Sequence, residues 1–149
     1  MQTACTYDVI EKGNHLSLLS PAKSLLVIED DLALIELFDI IIDDLRPDLD
    51  WEYATSAEKG MASIYRRSRV HRDMPFNLVL TDIFLEGDST GFDVWQECQE
   101  FFPQMPFVFI SSLPFDRYSS FLQGSGSCPS YLLKPLSVSR CQSVLNEYL

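Results

Sequence analysis

Asn77-Leu78-Val79-Leu80-Thr81-Asp82 is a short apolar run that stops on a single carboxylate. A run this short and apolar predicts a buried parallel strand. The loop Ile83 to Gly91 and then a helical pattern follow it. In an open α/β sheet, ligands bind outside the carboxyl ends of the strands, which puts Asp82 at the edge where chemistry happens.

Working outward, four more runs repeat this arrangement. Ser24 to Ile28 ends on Glu29-Asp30-Asp31. A helix pattern then starts at once: Leu34, Leu37, Phe38, Ile41 and Leu45 recur at helical spacing, while Glu36, Asp39 and Asp43 fall elsewhere, and Pro47 marks the end. Trp51 to Ala54 predicts the second strand, and Thr55 or Ser56 caps a helix running to about Arg67. The opening stretch is the third strand, about Phe76 to Thr81. Gly91 begins the next helix, which ends before Pro103. Phe107 to Ile110 is the fourth strand, ending on Ser111-Ser112. A weaker helical segment, about Asp116 to Gln123, precedes Gly124-Ser125-Gly126-Ser127. Tyr131 to Leu133 is the fifth strand and ends on Lys134-Pro135. The last helix runs from about Ser137 to Leu149, with Val138, Cys141, Leu145 and Tyr148 at helical spacing.

Five βα units imply an α/β fold, a doubly wound parallel sheet with helices on both faces. The common order for five such strands is 2-1-3-4-5, with strands one and three side by side at the switch point. The fold therefore occupies residues 21–149 as one domain. Residues 1–20 have no clear period and read as an N-terminal extension in which Leu16, Leu18 and Leu19 pack on the domain.

The net charge of −11 argues against nonspecific nucleic-acid binding, because phosphate repels an acidic surface. The basic cluster Arg66, Arg67, Arg69 and Arg72 closes the second helix and its loop. Cations there favour the helix dipole; the other reading is a docking patch for an acidic partner. Cys5, Cys98, Cys128 and Cys141 form no C-x-x-C pair, and neither His15 nor His71 is spaced to share a zinc with them. Thiols scattered in this way suit small half-buried side chains in a reducing cytosol. The N-terminus, with Asp8 and Glu11, is no secretory signal. No stretch approaches the roughly 18 apolar residues of a membrane span. The expected location is cytoplasmic. Trp51 and Trp95 read as core or half-buried aromatics.

The strand ends add up to a site. Strand one delivers Glu29 and Asp30, strand three Asp82, strand four the Ser111 hydroxyl and strand five the Lys134 ammonium. Three close carboxylates repel each other, and a hard divalent cation relieves that; Mg²⁺ prefers such oxygen ligands. A Mg²⁺ beside a carboxylate, a hydroxyl and a lysine suits phosphoryl transfer. Each piece alone has a plainer reading: Asp30 or Asp31 as a helix N-cap, Asp82 as a turn residue, Ser111 as a surface hydroxyl.

Taken together, Leu26-Val27-Ile28-Glu29-Asp30-Asp31, Leu78-Val79-Leu80-Thr81-Asp82, Ile110-Ser111-Ser112 and Tyr131-Leu132-Leu133-Lys134-Pro135 resemble the marker segments of two-component response-regulator receiver domains. The resemblance spans about residues 23 to 149. It implies a flavodoxin-like receiver fold with Asp82 as phosphoryl acceptor. Asp30, Asp82 and the backbone carbonyl of Phe84 would bind Mg²⁺ directly, and Glu29 through a water. Lys134 would pair with a phosphoryl oxygen and Ser111 would bond another. Tyr131 matches the family's switch aromatic, and the Lys134-Pro135 bond is expected to be cis.

Some positions depart from the family pattern. Glu86 stands where a Pro is frequent, and the Gly that opens the third helix comes one residue late, at Gly91. Ser112 replaces the usual Ala or Gly, and bulky Phe84 is expected to shield an aspartyl phosphate from water.

The resemblance implies a free-standing receiver, since no output domain follows Leu149. It would then be a phospho-acceptor signalling protein rather than an enzyme, catalysing only its own phosphorylation and dephosphorylation. A histidine kinase or histidine phosphotransfer protein would supply the phosphoryl group. The fourth helix, fifth strand and fifth helix would form the readout face for a downstream protein, with no role for nucleic acid or membrane. The rival is a phosphorylation-independent adaptor on the same fold. A flavodoxin-like cofactor binder is disfavoured because it needs a Ser/Thr/Gly-rich phosphate loop after strand one, where Glu29-Asp30-Asp31 would repel a phosphate without a metal. An aspartyl phosphatase is disfavoured because Phe84 stands where a second Asp is usual.

Overall fold

In the computed structural model, residues 22–122 and 129–149 are described. The N-terminal extension, with Cys5 and His15, lies outside them, as do Cys128 and the segment Gly124 to Ser127. The elements alternate: β1 (Ser24–Ile28), α1 (Leu32–Leu45), β2 (Asp50–Ala54), α2 (Ala57–Ser68), β3 (Leu78–Asp82), α3 (Gly91–Phe101), β4 (Phe107–Ser111), α4 (Phe115–Phe121), β5 (Ser130–Leu133) and α5 (Val138–Tyr148). The strands form one parallel sheet in the order β2-β1-β3-β4-β5, as the alternation implies.

Every residue of β1, β3 and β4 is buried, which is why these strands read as unbroken apolar runs. Their side chains alternate between two cores. Leu26, Ile28, Val79, Phe107 and Phe109 face one, with Ile64 of α2, Trp95 of α3 and Tyr118 of α4. Leu25, Val27, Leu78, Leu80, Val108 and Ile110 face the other, with Phe38 and Ile42 of α1 and Cys141 and Leu145 of α5. Gly60 lets α2 lie close to the sheet: a Cβ there would stand 2.4 Å from Ile28 Cδ1.

Three expectations need correction. The buried stripe of α1 is Ile35, Phe38, Ile41 and Ile42, while Leu34, Leu37 and Leu45 are only half-buried. The helix is turned from the expected stripe because the sheet and α5 set which side is covered. β3 and β4 each end later than expected, so Asp82 and Ser111 are paired strand residues rather than loop residues. α4 starts earlier and is shorter than expected, with Pro114 at its N-cap and no side-chain cap bond. Of the two candidate caps for α2, Ser56 is the one that accepts from Lys59 N. Trp95 is buried and Trp51 half-buried. Cys98 and Cys141 are buried free thiols. Among the described residues, no helix is long and apolar enough to cross a membrane.

Candidate functional site

The sheet register lines up the strand ends: Ile28 with Thr81, Asp82 with Ile110, and Ser111 with Leu133. Glu29, Asp30 and Lys134 follow directly after β1 or β5, so they meet Asp82 at one edge. Carboxylate oxygens of Glu29, Asp30 and Asp82 all lie within 4.8 Å of one another. Lys134 Nζ stands 2.8 Å from Asp82 Oδ2 and 3.1 Å from Glu29 Oε2.

Each carboxylate is aimed by backbone. Asp31, not Asp30, is the N-cap of α1, accepting from Ala33 N at 2.9 Å. That leaves Asp30 for the site, where its Oδ2 accepts from Glu86 N at 2.8 Å. Glu29 Oε1 accepts from Asp31 N at 3.0 Å, and Asp82 Oδ1 from Phe84 N at 3.2 Å. Lys134 N donates to Ser111 O at 2.8 Å, and the Lys134-Pro135 peptide is cis.

Burial pushes the Glu29 carboxyl up to about 6, helped by the neighbouring Asp82 charge and opposed by the Asp31 N–H and Lys134. Burial pulls Lys134 down, but its hydrogen bond to Asp82 and the nearby Glu29 charge outweigh that and the net shift is upward. Glu29 Oε2 is buried with no aligned hydrogen-bond partner, since the 3.1 Å approach of Lys134 is an ion pair without hydrogen-bond geometry. A buried carboxylate oxygen left in that state is costly. An all-oxygen cluster holding such an atom fits a small hard cation.

Ser111 and Tyr131 are placed differently. Ser111 is buried, and its Oγ accepts from Leu113 N at 3.1 Å instead of touching Asp82. The Tyr131 hydroxyl donates to the carbonyl of the same Leu113. Its ring stacks on Tyr118 with centroids 4.5 Å apart. Leu113 therefore links the two residues. The Phe84 side chain is 52% exposed and turned to solvent.

Three supports in the β3–α3 connection go beyond the sequence reading. Glu86 supplies an N–H to Asp30 from inside the loop that departs from the family pattern. Gly91 packs against the end of β3: a Cβ there would stand 1.9 Å from Asp82 O and 2.6 Å from Thr81 Oγ1. Thr90 and Asp93 form a capping box that fixes the start of α3. The Thr90-x-x-Asp93 spacing was a visible signal for that cap; the other two contacts had none.

No protein-family model matches the chain, and no curated protein does. Solved structures do. A CheY-like response regulator receiver domain protein from Methanospirillum hungatei JF-1 is 24% identical, with TM-score 0.67 over 85% of this chain and 92% of that one. A response regulator receiver domain protein from Clostridium thermocellum is 17% identical, with TM-score 0.68 over 85% and 93%. The Vibrio cholerae chemotaxis protein CheY4 is 14% identical, with TM-score 0.69 over 86% and 99%. The fold of this chain is that of a response-regulator receiver domain, as its marker segments imply.

Proposed function

We propose that this chain is a receiver in two-component phosphorelay signalling, accepting a phosphoryl group on Asp82 from a phosphohistidine of a histidine kinase or histidine phosphotransfer protein. The observation that carries this is the meeting of Glu29, Asp30 and Asp82 within 4.8 Å, with Lys134 at 2.8 Å from the acceptor.

Asp30, Asp82 and the Phe84 carbonyl are the residues to hold Mg²⁺, with Glu29 acting through a water. Bound there, Mg²⁺ supplies positive charge against the acids and the phosphoryl oxygens. An Asp82 carboxylate oxygen attacks phosphorus as the P–N bond to the donor histidine breaks, and the imidazole leaves with the bonding pair. Lys134, already on Asp82 Oδ2, shifts to a phosphoryl oxygen and neutralises its charge. Nearly complete burial of Asp82, at 5% exposed, limits access of water to the acyl phosphate. The half-exposed Phe84 ring follows it by two residues and is the residue to close over it.

The Ser111 hydroxyl accepts from Leu113 N and keeps its proton to donate to another phosphoryl oxygen, and turning to do so pulls on the loop that Tyr131 also holds. The new charge thereby reaches the α4–β5–α5 face, where Phe115, Tyr131, Arg140 and Val144 line a groove for a downstream protein. A role of this kind is cytoplasmic and consumes no substrate beyond the donor.

The test is incubation with acetyl phosphate and Mg²⁺, read by intact mass. A single Mg²⁺-dependent phosphoryl adduct that is absent from Asp82→Ala supports the reading. No adduct on a folded wild-type protein overturns it in favour of the phosphorylation-independent adaptor.

A further inference from the structure

Four of the eleven Lys and Arg residues are arginines between positions 66 and 72, in a chain of net charge −11. The fold divides them. Arg66 pairs with Glu52 at 2.6 Å and Arg67 with Asp50 at 2.8 Å. Arg67 also donates to Pro75 O and lies over the Phe76 ring, 4.6 Å from its centroid. These two fasten α2 to the sheet. Arg69 and Arg72 are exposed and have no ion pair among the described residues.

Around them the surface is apolar where it has no packing reason to be. Val70 is 78% exposed, Phe101 55% and Tyr65 41%. Tyr65 and Phe101 meet edge to face at 6.5 Å, and the Tyr65 hydroxyl is fixed by Glu97 at 2.6 Å. Arg69 follows Tyr65 by four residues. Its backbone is still helical, and His71 N still bonds Arg67 O, so Tyr65 and Arg69 share one side of the helix.

Aromatic and arginine side chains are the residues enriched at protein interfaces and their hot spots. An aromatic pair already held in place loses little freedom on binding. A membrane or nucleic acid would bring extended negative charge against the whole acidic body. A short protein segment need meet only the two unpaired arginines. Glu97 and Glu100 lie beside Tyr65, so a partner's carboxylates belong on the Arg69 and Arg72 side, where Asp73 is the one acid adjacent in sequence.

We infer that Tyr65, Phe101, Val70, Arg69 and Arg72 dock an acidic segment of another protein, its apolar side chain on the aromatic pair and its carboxylates on the two arginines. The C-terminal end of α2 lies at the edge of the sheet opposite Asp82, so this docking is independent of the chemistry proposed there.

The probe is a fluorescein-labelled amphipathic peptide with leucine and tryptophan on one helix face and glutamate elsewhere, compared by anisotropy with the same peptide carrying lysine for glutamate. The Glu peptide is expected to bind more tightly, although the net charge of the chain favours the Lys peptide. Arg69→Ser with Arg72→Ser should weaken it about tenfold, while Lys59→Ser, at the other end of α2, should not. Amide shifts in ¹⁵N-labelled protein should fall on residues 65–74 and Phe101. Equal binding of both peptides, or unchanged binding by the folded double variant, would overturn the inference. So would arginine-dependent binding of phosphatidylserine vesicles or duplex DNA without peptide binding, or self-association in sedimentation that the double variant abolishes.

Discussion

At the β3–α3 connection the chain is fastened by close backbone contacts and a capping box; at the β4–α4 connection it is fastened by two side-chain bonds to one residue. Gly91 lies so near Asp82 O that a Cβ would force the backbone to shift, and Thr90 and Asp93 cap α3 reciprocally. At the end of the neighbouring strand β4, Leu113 is held by Ser111 Oγ and the Tyr131 hydroxyl, and α4 is seven residues long and opens at Pro114 with no side-chain cap. The first arrangement changes only by overpacking the backbone. The second rests on hydrogen bonds worth about 1 kcal/mol each, a scale that a new charge nearby can overturn. The difference suits one half to hold the acids still and the other to report on them.

The largest effect that would sharpen this contrast is on the rigid side. Gly91→Ala should cost about 3 kcal/mol in urea unfolding, because the Cβ meets backbone rather than a movable side chain. A cost below about 1 kcal/mol would break the contrast, since ordinary surface changes cost that little. Thr90→Ala removes the capping-box hydroxyl and should cost about 1–2 kcal/mol in the same measurement. Tyr131→Phe removes one hydrogen bond from the other side and should cost about 1 kcal/mol, with backbone amide shifts concentrated between Ser111 and Phe115. Shifts reaching Asp82 without any phosphoryl donor would show that the two halves are not separable. The smallest effect is of opposite sign. Asp30→Asn keeps an oxygen for the Glu86 N–H but removes one of three crowded charges. It should raise metal-free stability by about 0.5 kcal/mol and reduce the rise in melting temperature that Mg²⁺ gives the wild type. A loss of stability without metal would mean that the three acids do not repel each other.

The sheet was legible because its central strands are buried on both faces and read as short apolar runs. The site was legible because each run stops on a group with chemistry: Glu29, Asp82, Ser111 and Lys134. What periodicity cannot carry is the position of one segment relative to another. The choice between Asp30 and Asp31 as helix cap depends on where the Glu86 N–H lies, more than fifty residues away. The rotation of α1 that buries Ile35 and Ile42 depends on its seat between the sheet and α5. Gly91 looked like a helix start one residue late, and its need for a bare Cα appears only beside Asp82 O. Arg66 and Arg67 could not be told from Arg69 and Arg72 until Glu52 and Asp50 on β2 were beside them.

The site of the phosphoryl group can be found directly. The protein is treated with phosphoramidate in the presence and absence of Mg²⁺, the acyl phosphate is trapped by borohydride reduction, and the modified residue is found by peptide mass mapping. Reduction is expected at Asp82 alone and only with Mg²⁺. Modification at Glu29, Asp30 or a residue away from the site, or at Asp82 equally without Mg²⁺, would contradict it.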